Sequence, residues 1–428
     1  MIRIRMQGRT SCACKYTEKL SVGGEKPPHA KPTEKTKKET INMGSVFKKL
    51  PANKHNIDLG LLFAVTLCAC ISTILIWSIV KSGISENEGV GNSYWQTQLI
   101  SMGLGIVAAY IISCIDYRKL VKVWWLFVPI TLVLVALPFT PLGYQRDGAD
   151  DQGWIRLFGV SMQPSEVMKI AFILTFSYHL SRDEEDMNKP LHMLLLLIHG
   201  AVPIGIVALQ GDYGTAIIFA AIFSFMLVSA KISWKYLIAA PFAAAGAIAV
   251  MWFNFLSTFH KQRILILFHP GTDPENIEYQ QDLGLAAIKS GGIFGKGIFE
   301  GKKDYIYVPE LHNDFIFAHV GQVFGFVGSI GIIIVLAYII LKIFADSRIT
   351  RDRLGRFMCM GAFGLFFTHC LMNIGMVLKV APVIGIPLPF LSGGGTAMLS
   401  MYAVIGLVIS TYSHRAVAYN VFYDEDEE

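Results

Sequence analysis

The stretch LGLLFAVTLCACISTILIWSIVKS, residues 59–82, decides the fold. No charged side chain interrupts it before Lys81. A helix of about 20 such residues crosses a hydrocarbon core of about 30 Å. Similar blocks recur along the chain. Ten spans follow, at roughly 59–82, 98–116, 122–139, 164–182, 192–210, 213–230, 234–256, 314–342, 355–378 and 394–413. The composition agrees, with 53% hydrophobic and only 16% charged residues. A soluble domain carries about a quarter charged residues. The sequence therefore predicts one all-α polytopic membrane bundle of 58–413, not several soluble domains.

Charge orients the bundle. Residues 1–57 hold a net charge of +9 and the remainder −4, within a total of +5. The first 57 residues, rich in Lys, Thr, Glu and Pro, read as a disordered basic cytoplasmic tail. Residues 414–428 read as an acidic cytoplasmic tail that ends in five consecutive acids. Basic residues gathered in a tail suit anionic membrane lipids; nucleic acid would call for a basic folded face. Between spans, Lys and Arg fall on alternate loops: Arg118, Lys119 and Lys122, then Arg182 and Lys189, then Lys231 and Lys235, then Lys342 to Arg356. The positive-inside rule puts these loops and both termini in the cytoplasm. Seven cysteines show no disulfide or zinc spacing, and Cys12-Ala13-Cys14 is at most a weak metal motif.

Three outward segments are too structured to be spacers: 140–166, 257–314 and 379–396. The middle one makes 257–313 a large extracellular loop. Irregular backbone beside a membrane must line a cavity or pack on protein, so the three should converge at the outer mouth. In the first, Glu166 and Lys169 stand i, i+3 just inside a span and can meet on one helix face. They form either a structural ion pair or a substrate contact. In the second, Gly291, Gly292, Gly295 and Gly297 surround Lys296, a weak signal for anion binding. Asp314 follows His312 and Asn313 at the head of an apolar run. It reads as a helix N-cap or as a general base at a cavity mouth. In the third, three prolines forbid regular helix. Ser392-Gly393-Gly394-Gly395 then offers a phosphate site at a helix start, or a capped re-entrant turn.

Six blocks, in order, resemble the SEDS family of RodA, FtsW and SpoVE: WIRLFGVSMQPSEVMK, QGDYGTA, AIKSGGIFGKG, VPELHNDFIFA with GFVG, NIGM, and GIPLPFLSGGG. The resemblance covers about 45–420 and leans toward the RodA branch. It implies a ten-span peptidoglycan glycosyltransferase that joins lipid II into β-1,4 glycan at the outer face. It further implies a class B penicillin-binding protein and elongation-complex proteins as partners. Asp314 matches the family's essential carboxylate, while Glu166 and Lys169 match its paired acid and base. Trp154, Arg156, Gln163, Ser165, Lys296, Glu310, His312, Ser392 and Gly394 complete the expected substrate-binding set. A divalent cation, Mg or Mn, would offset the pyrophosphate; no organic cofactor is expected. The chain departs from the pattern at Gly211, Asn313, Gln322-Val323, Lys379 and Gly393. A lipid-linked precursor transporter and a non-catalytic scaffold are the competing classes.

Overall fold

The computed structural model describes residues 57–84, 91, 93–145, 151–157, 160–182, 187–269, 271, 277–298 and 304–415. The two tails therefore lie almost wholly outside the described residues, as do Cys12 and Cys14. The first helix, α1 (Leu59–Ser82), starts at Asp58, whose carboxylate accepts from the N–H of Leu61 at 3.1 Å. Its side chains meet α2 (Tyr94–Cys114), and a short α3 (Tyr117–Lys122) turns the chain into α4 (Trp124–Ala136). Next come α5 (Pro164–Arg182), α6 (Pro190–Leu209), α7 (Tyr213–Ser229) and α8 (Trp234–Asn254). The long connection after α8 carries two helices of its own, α9 (Thr258–Leu265) and α10 (Ile277–Ser290). The chain closes with α11 (Ile316–Ile349), α12 (Arg353–Val377) and α13 (Gly395–Ser413).

Each of the ten expected spans falls on a helix. Seven described helices are long and apolar enough to cross a membrane, and 124–139 and 213–229 are shorter apolar helices. Two expectations need correction. The span drawn at 122–139 is interrupted at Val123 and ends in a 3-10 turn, Leu137–Phe139, because Pro138 cannot continue the α pattern. The all-α description also misses a small antiparallel sheet: β1 (Gly143–Tyr144), β2 (Trp154–Leu157) and β3 (Val160–Met162), in that order. Ile155 pairs with Gly143 on one side and Met162 on the other. Its β-branched side chain is fully buried, so the sheet folds down onto the bundle.

The core is built by α1, α5, α11, α12 and α13, whose buried faces form one apolar cluster. On α12 the small Gly364 lets the Phe225 ring and the backbone of α7 approach closely. By contrast, none of the 21 residues of α8 is buried. The helix α11 is broken at Gly325, where φ is +66 and ψ −161. Only glycine takes this conformation without strain. The break receives the glycine turn of the outer loop. Phe326 N–H donates to Gly292 O at 2.9 Å, and Val327 N–H to Ile293 O at 3.1 Å. A side chain at Gly295 would strike the Val323 carbonyl.

Candidate functional site

Asp314 sits in a turn just before α11, half-buried. It is not the helix cap: Phe315 holds that position and makes no side-chain cap bond. The turn is fastened from four directions. The N–H groups of Asn313 and Phe315 both donate to Glu310 O at 3.1 Å, and Glu310 itself takes φ +55. Asn373 on α12 donates from Nδ2 to Asp314 O and to Ile386 O, each at 2.8 Å. Ser392 Oγ donates to Asn313 O at 2.7 Å, and Gly393 N–H to His312 O at 2.8 Å. The Asp314 carboxylate borders Gly385, where an added Cβ would stand 3.5 Å from Oδ2. The second and third outer segments therefore meet at Asp314, as their irregular backbones predict.

The first segment joins through α7. Gln163 donates from Nε2 to Asp212 Oδ2 at 2.7 Å, and Asp212 Oδ1 caps α7 by accepting from Thr215 N–H at 2.9 Å. Gly214, at the start of α7, is pressed against Ile384 O and Ile386, beside Gly385. Burial lifts the Asp212 carboxyl to about 6, against the hydrogen bonds from Thr215 and with the neighbouring Asp151 adding to the rise. Trp154 Nε1 donates to that same Asp151 at 3.0 Å. Arg156 is exposed and lies over the Tyr144 ring at 4.8 Å.

Below this layer, Lys169 Nζ donates to Glu166 Oε1 at 2.7 Å, and both side chains are buried. Ser400 on α13 donates to the other carboxylate oxygen. An ion pair so far from water must have its remaining lone pairs satisfied, and Ser400 does this. His369 on α12 lies beside the pair. Its Nδ1 is 3.0 Å from Pro387 O. A carbonyl can only accept, so Nδ1 carries the hydrogen and Nε2 is left as an acceptor. His369 and Asn373 are i, i+4 on one face of α12, so a single helix links the buried pair to the Asp314 turn. Neither was singled out from sequence, nor was Asp212. The signal was present: polar side chains inside apolar spans face the protein interior.

Two glycine stretches do less for anions than their sequence suggests. The N–H groups of Gly295, Lys296 and Gly297 donate to the carbonyls of Gly291, Gln322 and Val323. The Lys296 ammonium reaches Asp304 O. At the third segment, the N–H groups of Ser392, Gly393 and Gly394 bond Leu388 O, His312 O and Gln98 Oε1. The N–H groups of this turn are thus taken by the protein's own acceptors. Ser165 is buried and its Oγ has no hydrogen-bond partner.

Two of the departures, Gln322 and Gly393, find physical reasons here. Gln322 accepts from Ile306 N–H at 2.7 Å and donates to Ile306 O at 3.1 Å. A glutamate could accept but not donate. A side chain at Gly393 would meet the Tyr94 ring, which itself packs edge-on against His312 at 5.0 Å. Thus α2 supplies the aromatic ring that position 393 lacks. Among the described residues, no three His, Cys, Asp or Glu side chains gather closely enough to hold a metal ion.

These features define a multi-pass membrane protein with a polar cluster where its three irregular segments meet the central helices. The chain belongs to the FtsW/RodA/SpoVE family of cell cycle proteins, whose sequence profile matches residues 59–416. It is 32% identical over 373 residues to the peptidoglycan glycosyltransferase MrdB of Escherichia coli strain K12, covering 86% of this chain and 96% of that one. It is 30% identical over 373 residues to the probable peptidoglycan glycosyltransferase FtsW of Trichlorobacter lovleyi, covering 84% and 94%. The fold matches the crystal structure of the rod shape determining protein RodA of Thermus thermophilus, at a TM-score of 0.62 and 21% identity over 85% of this chain and 99% of that one. It also matches a chain from a structure describing coordination of polymerization and crosslinking by a peptidoglycan synthase complex. There the TM-score is 0.70 and the identity 22%, covering 84% and 98%.

Proposed function

We propose that this chain is a peptidoglycan glycosyltransferase that polymerises lipid II at the outer face of the cytoplasmic membrane, with Asp314 as general base. The observation that carries the assignment is the fastening of the Asp314 turn. Asn373, Ser392 and Gly393 hold the backbone of the turn, so the carboxylate is set in place with Oδ2 beside Gly385. Preorganisation of this kind is what a proton-accepting group needs.

The reaction is a single displacement. The acceptor sugar hydroxyl attacks the anomeric carbon of the donor and loses its proton to Asp314. The new C–O bond forms as the bond to the lipid pyrophosphate breaks, and the pyrophosphate leaves with the electron pair. An α-linked donor then gives a β-linked product without a covalent enzyme intermediate. Lys296 and Arg156, which lie within the outer segments, are the basic side chains that would draw the pyrophosphate. Of the other expected contacts, Gln163, Glu310, His312, Ser392 and Gly394 act mainly by holding the segments together, Trp154 bonds Asp151 within its own segment, and Ser165 Oγ makes no hydrogen bond. Glu166 and Lys169 brace the floor of the same cluster.

The similarity to MrdB favours the elongation branch. A class B penicillin-binding protein, supplying crosslinking, is the partner this reading expects; the synthase-complex neighbour supports the pairing. The test is extension of fluorescent lipid II by the full-length chain in lipid nanodiscs with that partner. Asp314→Ala is expected to abolish glycan strands, a loss of roughly 10²-fold or more for a positioned general base. Full activity in Asp314→Ala would remove Asp314 from the mechanism. Translocation of lipid II without polymer would favour a transporter.

A further inference from the structure

The end of α12 adopts a backbone conformation that its residue does not favour. Lys379 takes φ +61, in the left-handed region where a side chain crowds the backbone. The hydrogen bonds explain the geometry. Lys379 N–H donates to Met376 O at 3.2 Å and Val380 N–H to Gly375 O at 2.8 Å. These are the two bonds of a Schellman cap, in which the left-handed position is usually glycine. A lysine there is disfavoured unless its side chain contributes something that glycine cannot.

That contribution is visible on α10. The Lys379 ammonium pairs with Glu278 Oε1 at 3.3 Å and with Asp282 Oδ1. Burial acts against its charge, but the bonds to Asp282 and Glu278 prevail and hold its pKa above the ordinary lysine value. Glu278 is itself buried and also accepts from Gly271 N–H at 2.7 Å. Between the two acids, Gln281 donates from Nε2 to Met376 O at 2.8 Å and Ala381 O at 3.1 Å. So α10 is clasped onto the end of α12 by three residues, Glu278, Gln281 and Asp282, within little more than one turn.

The clasp leads to the reacting group. One turn further along α10, Gly284 lies flat against the ring of Phe315, with an added Cβ 3.0 Å from the ring and 3.7 Å from Val377. Phe315 is fully buried and follows Asp314 directly. Gln280 holds the other approach, donating to Pro309 O at 3.0 Å. Moving α10 would unseat Phe315 and, with it, the Asp314 turn.

We propose that Lys379 is a positioning residue of the polymerase site, holding α10 down on α12 so that Phe315 and the Asp314 turn stay in register. The inference rests on the assignment of Asp314 above. Lysine, rather than the less strained glycine, occupies the cap because the ammonium is needed on α10.

The test uses the full-length chain in lipid nanodiscs, with fluorescent lipid II as probe. Lys379→Gly relieves the backbone and removes the clasp. It is expected to keep or raise the thermal midpoint while lowering kcat by about tenfold, with KM changed by less than about twofold. Amide exchange over 277–290 is expected to quicken. Lys379→Arg, which keeps the charge, is expected to restore most of kcat. Wild-type kcat with unaltered exchange in Lys379→Gly would overturn the proposal. So would a fall in thermal midpoint that matches the fall in kcat, since that is a structural role only. If the wild-type chain makes no polymer, the polymerase assignment fails; the exchange comparison then still decides whether the clasp holds α10.

Discussion

Helices α8 and α12 are both long and apolar enough to cross a membrane, and α8 is the more apolar of the two. Yet no residue of α8 is buried, while most of α12 is. The difference lies in polar content. Within its apolar run α12 carries Thr368, His369 and Asn373, and every one is buried. In α8, by contrast, Lys235 and Asn254 stand near the two ends, and the run between is Ala, Gly, Pro and large apolar residues. Lipid tolerates the second pattern and penalises the first. In this protein, then, the less apolar span is the one that builds the site.

The comparison can be broken most forcefully at the buried pair under α12. Glu166→Ala leaves the Lys169 ammonium buried without its partner, which costs about 3–5 kcal/mol. The thermal midpoint in detergent should fall sharply. A midpoint within a degree or two of wild type would mean that the pair is solvated and that this face is not interior. Next comes Asn373→Ala. It removes both bonds from α12 to the Asp314 and Ile386 carbonyls. Polymer formation is expected to fall about 10²-fold by loss of positioning. Turnover equal to wild type would detach α12 from the site.

A matched pair of insertions sharpens the contrast. Gly364→Leu on α12 drives a side chain into Phe225 and the backbone of α7. Overpacking of this sort costs about 1–3 kcal/mol. Ala244→Leu on the exposed face of α8 should stay within about 0.5 kcal/mol. Equal effects in a denaturant titration would show that α8 is packed in the working protein. The smallest effect concerns pH. Asp212, lifted to about 6 by burial, holds its proton more tightly folded than unfolded. Its contribution to stability is fully present below its ordinary value of 3.8 and is lost as pH rises through about 6. Wild type should therefore gain thermal midpoint, relative to Asp212→Asn, on going from pH 7 to pH 5. A parallel response in the two proteins would count against the buried carboxyl.

Sequence patterns were most legible where one physical rule acts alone. The ten apolar blocks all became helices because a span must satisfy its own backbone hydrogen bonds in lipid. Glu166 and Lys169 met because helical spacing places i and i+3 together, as the 2.7 Å contact bears out. Asp314 was harder. Its position before an apolar run suggested a cap, and the cap turned out to be Phe315. The glycine stretches were misleading for a similar reason. A run of glycines permits close approach, but the sequence does not say whether an anion or another backbone makes the approach. Here the carbonyls of α11 take the N–H groups of Lys296 and Gly297, and Gly291 O takes that of Gly295.

By itself, then, the sequence determined the membrane bundle, the three irregular segments that converge and the candidate carboxylate. Those conclusions depend on local apolar runs, loop charges and motif residues. Only the tertiary structure decided what surrounds Asp314. Asn373 lies 59 positions from it along the chain, and Ser392 lies 79 from Asn313. Contacts of that range depend on how whole helices pack. The same holds for Lys379, whose departure from glycine looked like a defect in the motif. Its reason became visible only when α10 placed Glu278 and Asp282 within reach of the ammonium.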